Sequence, residues 1–418
     1  MDRHSKIVVV GAGVFGLSTA LELSRTGYKN VIVLDRHVPP VPAGSSVDIS
    51  RVIRFDYGDL AYARLAKEAF DLWNTPQYEG IFNRSPFVLV GEDENGRAFI
   101  DRCTTGLGRA SLSWRRLETG DETKNLFPVL SGQLTQKDFH AYCNFTCGWA
   151  DSQLAIATFR DRCLENGVSF ISGSRGTVPG FQTDPQTGTI TGAKTKSGDL
   201  VQGDVFVLAT GAWTSGLVSM HDSILATGQV VAFIKLTETE VDRYGKLPIY
   251  MNFSTGWLSF PPHQNSGYMK IALHGWGYTH TADADHTRRA NFAPADGLER
   301  VRQGLRSVLP ELASREFDRA AVCWYTDTPS GDFIVDSHPD YPNLLVTTAE
   351  TDSNGFKFLP VIGKYTTGAL HGTLPEELRQ KWRFRREYEN AKGDPIKGDG
   401  IRRGPARREF LATERAKL

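Results

Sequence analysis

The chain has 418 residues, 40% of them apolar and 11% aromatic, with 48 Lys and Arg against 48 Asp and Glu. That length can hold two cores, and a formal net charge of zero removes any bulk electrostatic case for nucleic acid or an anionic membrane as partner. No apolar run is long enough to span a bilayer, the chain enters its first strand almost at once and so reads as lacking a secretory signal, and five dispersed cysteines read as reduced thiols, not a disulfide framework.

The stretch Lys6 to Asp35 is the most informative. Ile7-Val8-Val9-Val10 is a continuous apolar run of the kind buried on both faces of a parallel sheet. It ends in Gly11-Ala12-Gly13-Val14-Phe15-Gly16. Gly11 permits a tight turn, Gly13 lets a pyrophosphate approach the backbone, and Gly16 lets the next helix pack closely on the strand. That helix is expected from Val14 to Thr26, its free N–H groups facing phosphate, with Gly27 as C-cap. A second strand, Val31–Leu34, ends at Asp35, whose carboxylate can accept ribose hydroxyls. The register of strand, glycines, helix, strand and acid predicts dinucleotide binding, but does not separate FAD from NAD.

Pro39, Pro40, Pro42 and Gly44 make a loop, followed by Ser45-Ser46-Val47-Asp48-Ile49-Ser50-Arg51-Val52-Ile53-Arg54. Arg51 and Arg54 read equally well as surface charges or as a cofactor-ring contact and a substrate-anion contact, since a guanidinium both stacks and pairs with carboxylates. Ala61 to Trp73 is an amphipathic helix and Phe87 to Val90 a strand. Residues from Glu92 to Asn144 carry no clear pattern and are expected to start a second domain. A helix follows from Asp151, its N-cap, to Asn166, then a strand at Val168–Ile171 and hairpin signals near Asp184–Gly188 and Ser197-Gly198. Asp204 to Trp213 is a buried strand running into a Thr-Gly turn at Gly211. Runs rich in aromatic and β-branched residues at Val230–Ile234, Ile249–Met251, Trp257–Phe260 and Gly267–His274 fit an antiparallel sheet walling a substrate site. On such a strand Lys270 and His274 share a face. A helix is expected at Leu298–Leu309 and a buried strand at Leu344–Thr347, followed by Gly355-Phe356-Lys357-Phe358-Leu359-Pro360. From about Arg383 the charge-, Gly- and Pro-rich composition reads as a poorly ordered tail. Cys143 and Cys147 lack a second Cys/His pair at matching spacing, so no metal site is expected from them.

With these residues in view, the chain resembles the sarcosine oxidase-like family of FAD-dependent amine oxidases, which includes sarcosine, fructosyl amino acid, and fungal saccharopine and pipecolate oxidases. The resemblance spans roughly Lys6 to Arg385. It is carried by the N-terminal fingerprint, by GSSVDISRVIR at 44–54, by AVCWYTDTPSGDFIVDSHP at 321–339 and by GFKFLPVIGKY at 355–365. It implies an α/β (overall α+β) chain: a discontinuous, doubly wound FAD domain of residues 1–85, 145–215 and 320–385, an antiparallel-sheet catalytic domain of 86–144 and 216–319, and a flexible tail of 386–418.

The resemblance also assigns roles. Cys323 falls on the cysteine that joins the flavin 8α-methyl. Arg51 falls on the arginine near the flavin ring, Lys270 on the lysine that activates oxygen, and His274 on a nearby histidine. Arg54 and Lys357 fall on the pair that holds a substrate carboxylate. Gly11, Gly13, Val14, Phe15, Gly16, Asp35, Arg36, Ser45, Ser46, Gly211, Trp213, Asn354, Gly355, Phe356 and Lys357 are the remaining expected cofactor contacts. The implied reaction is oxidation of the C–N bond of a secondary amine or N-substituted amino acid, with oxygen reduced to hydrogen peroxide. The alternatives are a flavin oxidase of alkaloid or other secondary-metabolite assembly whose imine cyclises, and a fructosyl amino acid oxidase. The expected protein is a monomer whose partners are an amine substrate, oxygen and, through Ala416-Lys417-Leu418, the peroxisomal import receptor. Two departures bear on substrate: Ala349-Glu350-Thr351-Asp352-Ser353-Asn354 replaces a Gly- and His-bearing loop, and Leu258 stands where an aromatic closes the sarcosine site. Both fit a larger or unusual amine.

Overall fold

The computed structural model describes all residues except 1, 43, 110–111, 135–137, 281–290, 349–354 and 392–403. Its first layer is a six-stranded sheet in the order Ile334–Ser337, Leu344–Thr348, Val205–Leu208, Lys6–Val10, Asn30–Leu34, Ser169–Ile171, parallel except for the first. The apolar run at Ile7–Val10 is buried as its composition requires. From Lys6–Val10 the chain winds one way to Asn30–Leu34 and later the other way to Val205–Leu208. Strand order therefore reverses beside Lys6–Val10, and the crevice at the carboxyl ends of these strands is where such sheets bind ligand.

The glycines of the fingerprint are steric necessities. Gly11 has φ +106°, and a Cβ there would lie 2.4 Å from the carbonyl oxygen of Ala209; a Cβ on Gly16 would lie 1.9 Å from the Gly11 carbonyl oxygen. The helix Val14–Arg25 can sit this close to the sheet only because neither side chain exists. The helix at Ser152–Glu165 starts where expected, with Asp151 accepting from the Leu154 N–H at 2.9 Å.

The second layer is a mainly antiparallel sheet that includes Leu225–Lys235, Tyr268–Leu273, Trp257–Ser259, Ile249–Asn252, Phe87–Gly91 and His140–Asn144, in that order. Side chains alternate across it. Val230, Ala232, Ile234, Met269, Ile271 and Leu273 pack beneath the helix Ala295–Val308. Val231, Phe233 and Ala272 face the other way and cluster with Cys323 and Tyr325. The stretch from Glu92 to Asn144, which has no readable period, supplies the helices Glu94–Arg109 and Gly120–Leu126 and the last two strands at one end of this sheet, His140–Asn144 and the edge strand Trp114–Leu117.

Two boundaries differ from expectation. The resemblance places residues 320–385 in the FAD domain, but Arg319–Asp327, which carries Cys323, pairs along Leu225–Lys235 in the second sheet, with Cys323 opposite Gln229. A nine-residue strand buried over most of its length fits a sheet interior, and the return to the parallel sheet begins at Ile334. The tail is docked where it is described. Arg408–Glu409 pairs with Tyr278–Thr279, and Phe410 is 2% exposed, its ring 5.3 Å from that of Tyr278 and 5.9 Å from that of Trp324. Arg408 bonds Glu414 and Asp296. Composition signalled a loose segment; one aromatic anchor and one paired arginine, both meeting residues far away in sequence, override it.

Candidate functional site

A channel of about 690 Å³ opens at the strand-order reversal. Of the expected contacts, Gly11, Gly13, Val14, Phe15, Asp35, Arg36, Ser45, Ser46, Gly211, Trp213 and Gly355 line it. Ser46 Oγ accepts from the Val14 N–H at 3.1 Å and would lie 2.9 Å from a Cβ on Gly13, so the helix start is bare backbone under a hydroxyl. Asp35 Oδ2 accepts from the Ala12 N–H at 2.7 Å; burial raises its pKa, against the pull of the backbone donors and Arg36. The Arg36 guanidinium lies 4.8 Å from the Trp213 ring centroid and closes one wall. Sequence reasoning missed Lys196, Val178, Thr326 and Thr348, which also line the channel. They come from separate hairpins and strand ends and carry no local signal.

Other expected contacts lie elsewhere. Gly16 acts through close packing of helix on strand. Phe356 is buried in the core, its ring stacked on Trp73 at 5.9 Å. Arg51, Cys323 and Lys357 stand outside the channel wall, and Asn354 lies outside the described residues. The channel suits a dinucleotide. It offers a positive helix end for a pyrophosphate. On its wall Trp213 Nε1 and Thr348 Oγ1 are buried without a hydrogen-bond partner, the condition of donors that await a ligand.

A compact charge cluster joins the two layers. Asp48 Oδ2 accepts from Arg51 at 2.6 Å and from Lys270 Nζ at 2.7 Å. Lys270 also donates to the Ser50 carbonyl at 2.8 Å, and Arg51 to the Ser45 carbonyl at 2.6 Å and to Cys323 Sγ at 3.4 Å. Asp48, Arg51, Lys270 and Cys323 are 3, 7, 2 and 7% exposed. Arg51 sits on the short strand Arg51–Ile53, and Lys270 on Tyr268–Leu273 opposite Phe233. Asp48 is pinned in turn by Ser152, which accepts from the Asp48 N–H at 2.9 Å and donates to its carbonyl at 2.7 Å. Burial, then Arg51, lowers the Lys270 pKa to about 8, against the upward pull of Asp48. His274 is buried just beyond the same strand, its ring 5.8 Å from that of Tyr325.

Arg54 and Lys357 meet at a second cluster. The Arg54 guanidinium and Lys357 Nζ each lie 5.1 Å from the Tyr57 ring centroid, and Lys357 donates to the Tyr57 hydroxyl at 2.6 Å. Arg54 NH1 also donates to the Asp56 carbonyl at 2.8 Å and to its carboxylate at 3.2 Å; that carboxylate accepts the Tyr142 hydroxyl too. Burial disfavours charge on Arg54, but Asp56 outweighs it and raises the pKa. Lys357 is placed by the turn Gly355–Phe358, whose Lys357 carbonyl accepts from Trp73 Nε1 at 2.7 Å. Leu258 is buried in the same apolar cluster as Phe87, below Arg54.

These features coincide with a match to the family model of the FAD-dependent oxidoreductases termed DAO over residues 6–369, and the chain belongs to that family. It is 28% identical to L-saccharopine oxidase of Schizosaccharomyces pombe over 407 residues, covering 91% of this chain and 93% of that protein. It is 29% identical over 373 residues to monomeric sarcosine oxidase of Bacillus sp. strain NS-129, with 87% and 92% covered. The solved structure of the deglycating enzyme fructosamine oxidase (Amadoriase II) of Aspergillus fumigatus superposes with a TM-score of 0.88 at 26% identity, covering 98% of this chain and 96% of that one. The protein is an FAD-dependent oxidoreductase, and its fold is the expected one.

The shift at Lys270 has a measurable sign. An unfolded lysine titrates near 10.5, so between pH 8 and 10.5 the unfolded chain binds a proton that the native chain does not, and stability rises with pH. A gap of 10.5 − 8 = 2.5 units is worth roughly 3 kcal/mol. Unfolding free energies of wild type and Lys270→Met, compared across this range, should diverge in favour of wild type by up to about that amount. A difference that does not change with pH would mean that Lys270 titrates normally.

Proposed function

We propose that the enzyme oxidises the C–N bond of a secondary amine or N-substituted amino acid that carries a carboxylate. The observation that supports this most directly is the convergence of Arg54 and Lys357, two buried cations, on the Tyr57 ring, with Asp56 paired to Arg54. Charge-assisted hydrogen bonds from such a pair fix a carboxylate and orient the carbon next to nitrogen. Loss of hydride from that carbon leaves an iminium, which water hydrolyses to a carbonyl compound and the freed amine with release of a proton. FAD, when bound, would supply the two-electron acceptor that oxygen then reoxidises with formation of hydrogen peroxide. Leu258, Ala272 and Phe260 form a water-poor wall on the sheet side. Lys270 holds a fixed positive charge where negative charge develops on oxygen, and burial strengthens its effect. The likeness to fructosamine oxidase favours glycated amino acids as a second substrate class within the same reaction.

An anaerobic stopped-flow panel of secondary amines, N-alkyl amino acids and fructosyl amino acids, each beside its decarboxylated analogue, tests this reading. Bleaching by at least one acid and peroxide release on admitting air are expected. Arg54→Gln should lower kcat/KM for the acid by roughly ten- to a hundredfold, from a lost charge-assisted bond of about 1.5–3 kcal/mol, and spare the analogue. Lys270→Met should leave bleaching intact and slow reoxidation by about a hundredfold, a few kcal/mol of barrier. No bleaching by any member of the panel would refute the substrate class, and equal slowing of both half-reactions would refute the oxygen role.

A covalent thioether from Cys323 to the cofactor is part of the same reading. The sulfur accepts from the Arg51 N–H, and Cys103, Cys143, Cys147 and Cys163 are buried within the two larger apolar clusters. After acid precipitation the yellow colour should stay with the polypeptide and leave it in Cys323→Ser. Flavin released wholly from wild type would disprove the link. Import into peroxisomes through Ala416-Lys417-Leu418 fits peroxide production; a fluorescent protein extended by residues 409–418 that stays diffuse in the cytosol would count against it.

A further inference from the structure

We infer that Tyr142 is a positioning residue for the substrate carboxylate: it takes one oxygen of Asp56 and so keeps a two-donor edge of Arg54 open to the ligand. The inference rests on the acid-bearing substrate proposed above and names a group outside the clamp that sets its strength. Arg54 and Asp56 follow the short strand Arg51–Ile53. Tyr142 lies in the middle of the strand His140–Asn144, opposite Leu89 on one side and Arg116 on the other. A phenol set inside a sheet has little freedom to follow its partner, so the loop that carries Asp56 comes to it. Tyr142 is 0% exposed and Asp56 1%.

Asp56 divides its carboxylate between two donors. Oδ2 accepts the Tyr142 hydroxyl, and Oδ1 accepts from Arg54 Nη1 at 3.2 Å. A carboxylate facing a guanidinium alone commonly forms two parallel bonds of about 2.7–2.9 Å. Here there is one, and it is longer. Arg54 Nη1 also donates to the Asp56 carbonyl at 2.8 Å, so the anchoring runs through a single nitrogen. Nε and Nη2 bond none of the described residues. They form the side-on edge of the guanidinium, whose two donors match a carboxylate. The Arg54 side chain is 9% exposed and that of Asp56 0%, so the part of the pair that reaches open space belongs to the arginine.

The neighbours leave Tyr142 as the controlling partner. The thiols of Cys103 and Cys147 also feel Asp56, but burial raises both, Cys103 to about 12, and they stay neutral. Burial, then Asp56, raises the Tyr142 pKa, so the phenol keeps the proton that it donates. A hydroxyl-to-carboxylate bond in a dry setting is strong. Without that hydroxyl, Oδ2 would be buried and unpaired, which costs more than turning to the nearest donor. That donor is the Arg54 guanidinium. The carboxylate would close on it with both oxygens, cancel more of its charge and draw its plane away from the ligand.

The test compares flavin-loaded wild type, Tyr142→Phe, Asp56→Asn and the double variant. Propionate and its neutral amide, propionamide, are titrated against each, with binding read from the flavin spectrum. KM and kcat are taken for the acid that bleaches best in the panel above. Tyr142→Phe should weaken propionate and raise KM about tenfold, with kcat and propionamide binding unchanged within about twofold. In the Asp56→Asn background Tyr142→Phe should add nothing, because the group it restrains is gone. Equal losses for propionate and propionamide overturn the inference, as does a kcat that falls in step with kcat/KM, or a Tyr142→Phe effect of full size without Asp56. If Asp56→Asn does not fold, the acid-to-amide ratio in Tyr142→Phe decides by itself. Arg54→Gln separates the two claims. Propionate weakened by Arg54→Gln but not by Tyr142→Phe removes the inference alone; propionate indifferent to both removes the clamp with it.

Discussion

One buried carboxylate, Asp48, ties the two layers together. It holds Arg51 from its own loop and Lys270 from the facing sheet, and its backbone is gripped on both sides by Ser152 at the start of a helix of the parallel domain. Moving a cation out of water costs several kcal/mol even after relaxation, and two adjacent buried cations add repulsion to that cost. Without Asp48 the sheet face could not carry Lys270 at 2% exposure next to Arg51. The cluster therefore sets the registration of the layers. The loop that follows the fingerprint must return across the sheet at this height, and that return places Ser45 and Ser46 on the channel wall and Cys323 against Arg51.

What could be read beforehand follows from how local each signal is. The fingerprint was legible because glycine spacing, an apolar strand and a terminal acid lie within thirty consecutive residues, and the steric conflicts at Gly11 and Gly16 are their physical basis. The cations Arg51, Arg54, Lys270 and Lys357 stood out by type and motif, and the fold brings them together in two pairs. Their counterions did not stand out. Asp48 and Asp56 lie a few residues from their arginines, as exposed pairs commonly do, and only burial shows that they are structural charges. Tyr142 reaches Asp56 from 86 positions away. Phe356 shares a motif with Lys357 but points into the core against Trp73. The docking of Phe410 was illegible because composition averages over a segment, whereas docking is decided by one ring and the pocket that receives it.

The two cation pairs are built differently in a similarly dry environment: Asp48 takes both Arg51 and Lys270, whereas Asp56 takes Arg54 and Lys357 is held by the Tyr57 hydroxyl. Two unpaired cations would repel each other and pull Lys270 toward neutrality at working pH, and its pKa is already down to about 8. At Asp48 the shared carboxylate helps to keep both cations ionised, and hydrogen bonds to backbone carbonyls fix their positions. In a medium of low effective dielectric such a charge acts strongly on any negative group that enters, and it needs no reorganisation to do so. In the proposed function the cations at Tyr57 meet an anion carried in by the ligand, and Lys270 meets charge that appears on oxygen during reaction; buried, fixed cations would then serve binding in one place and chemistry in the other.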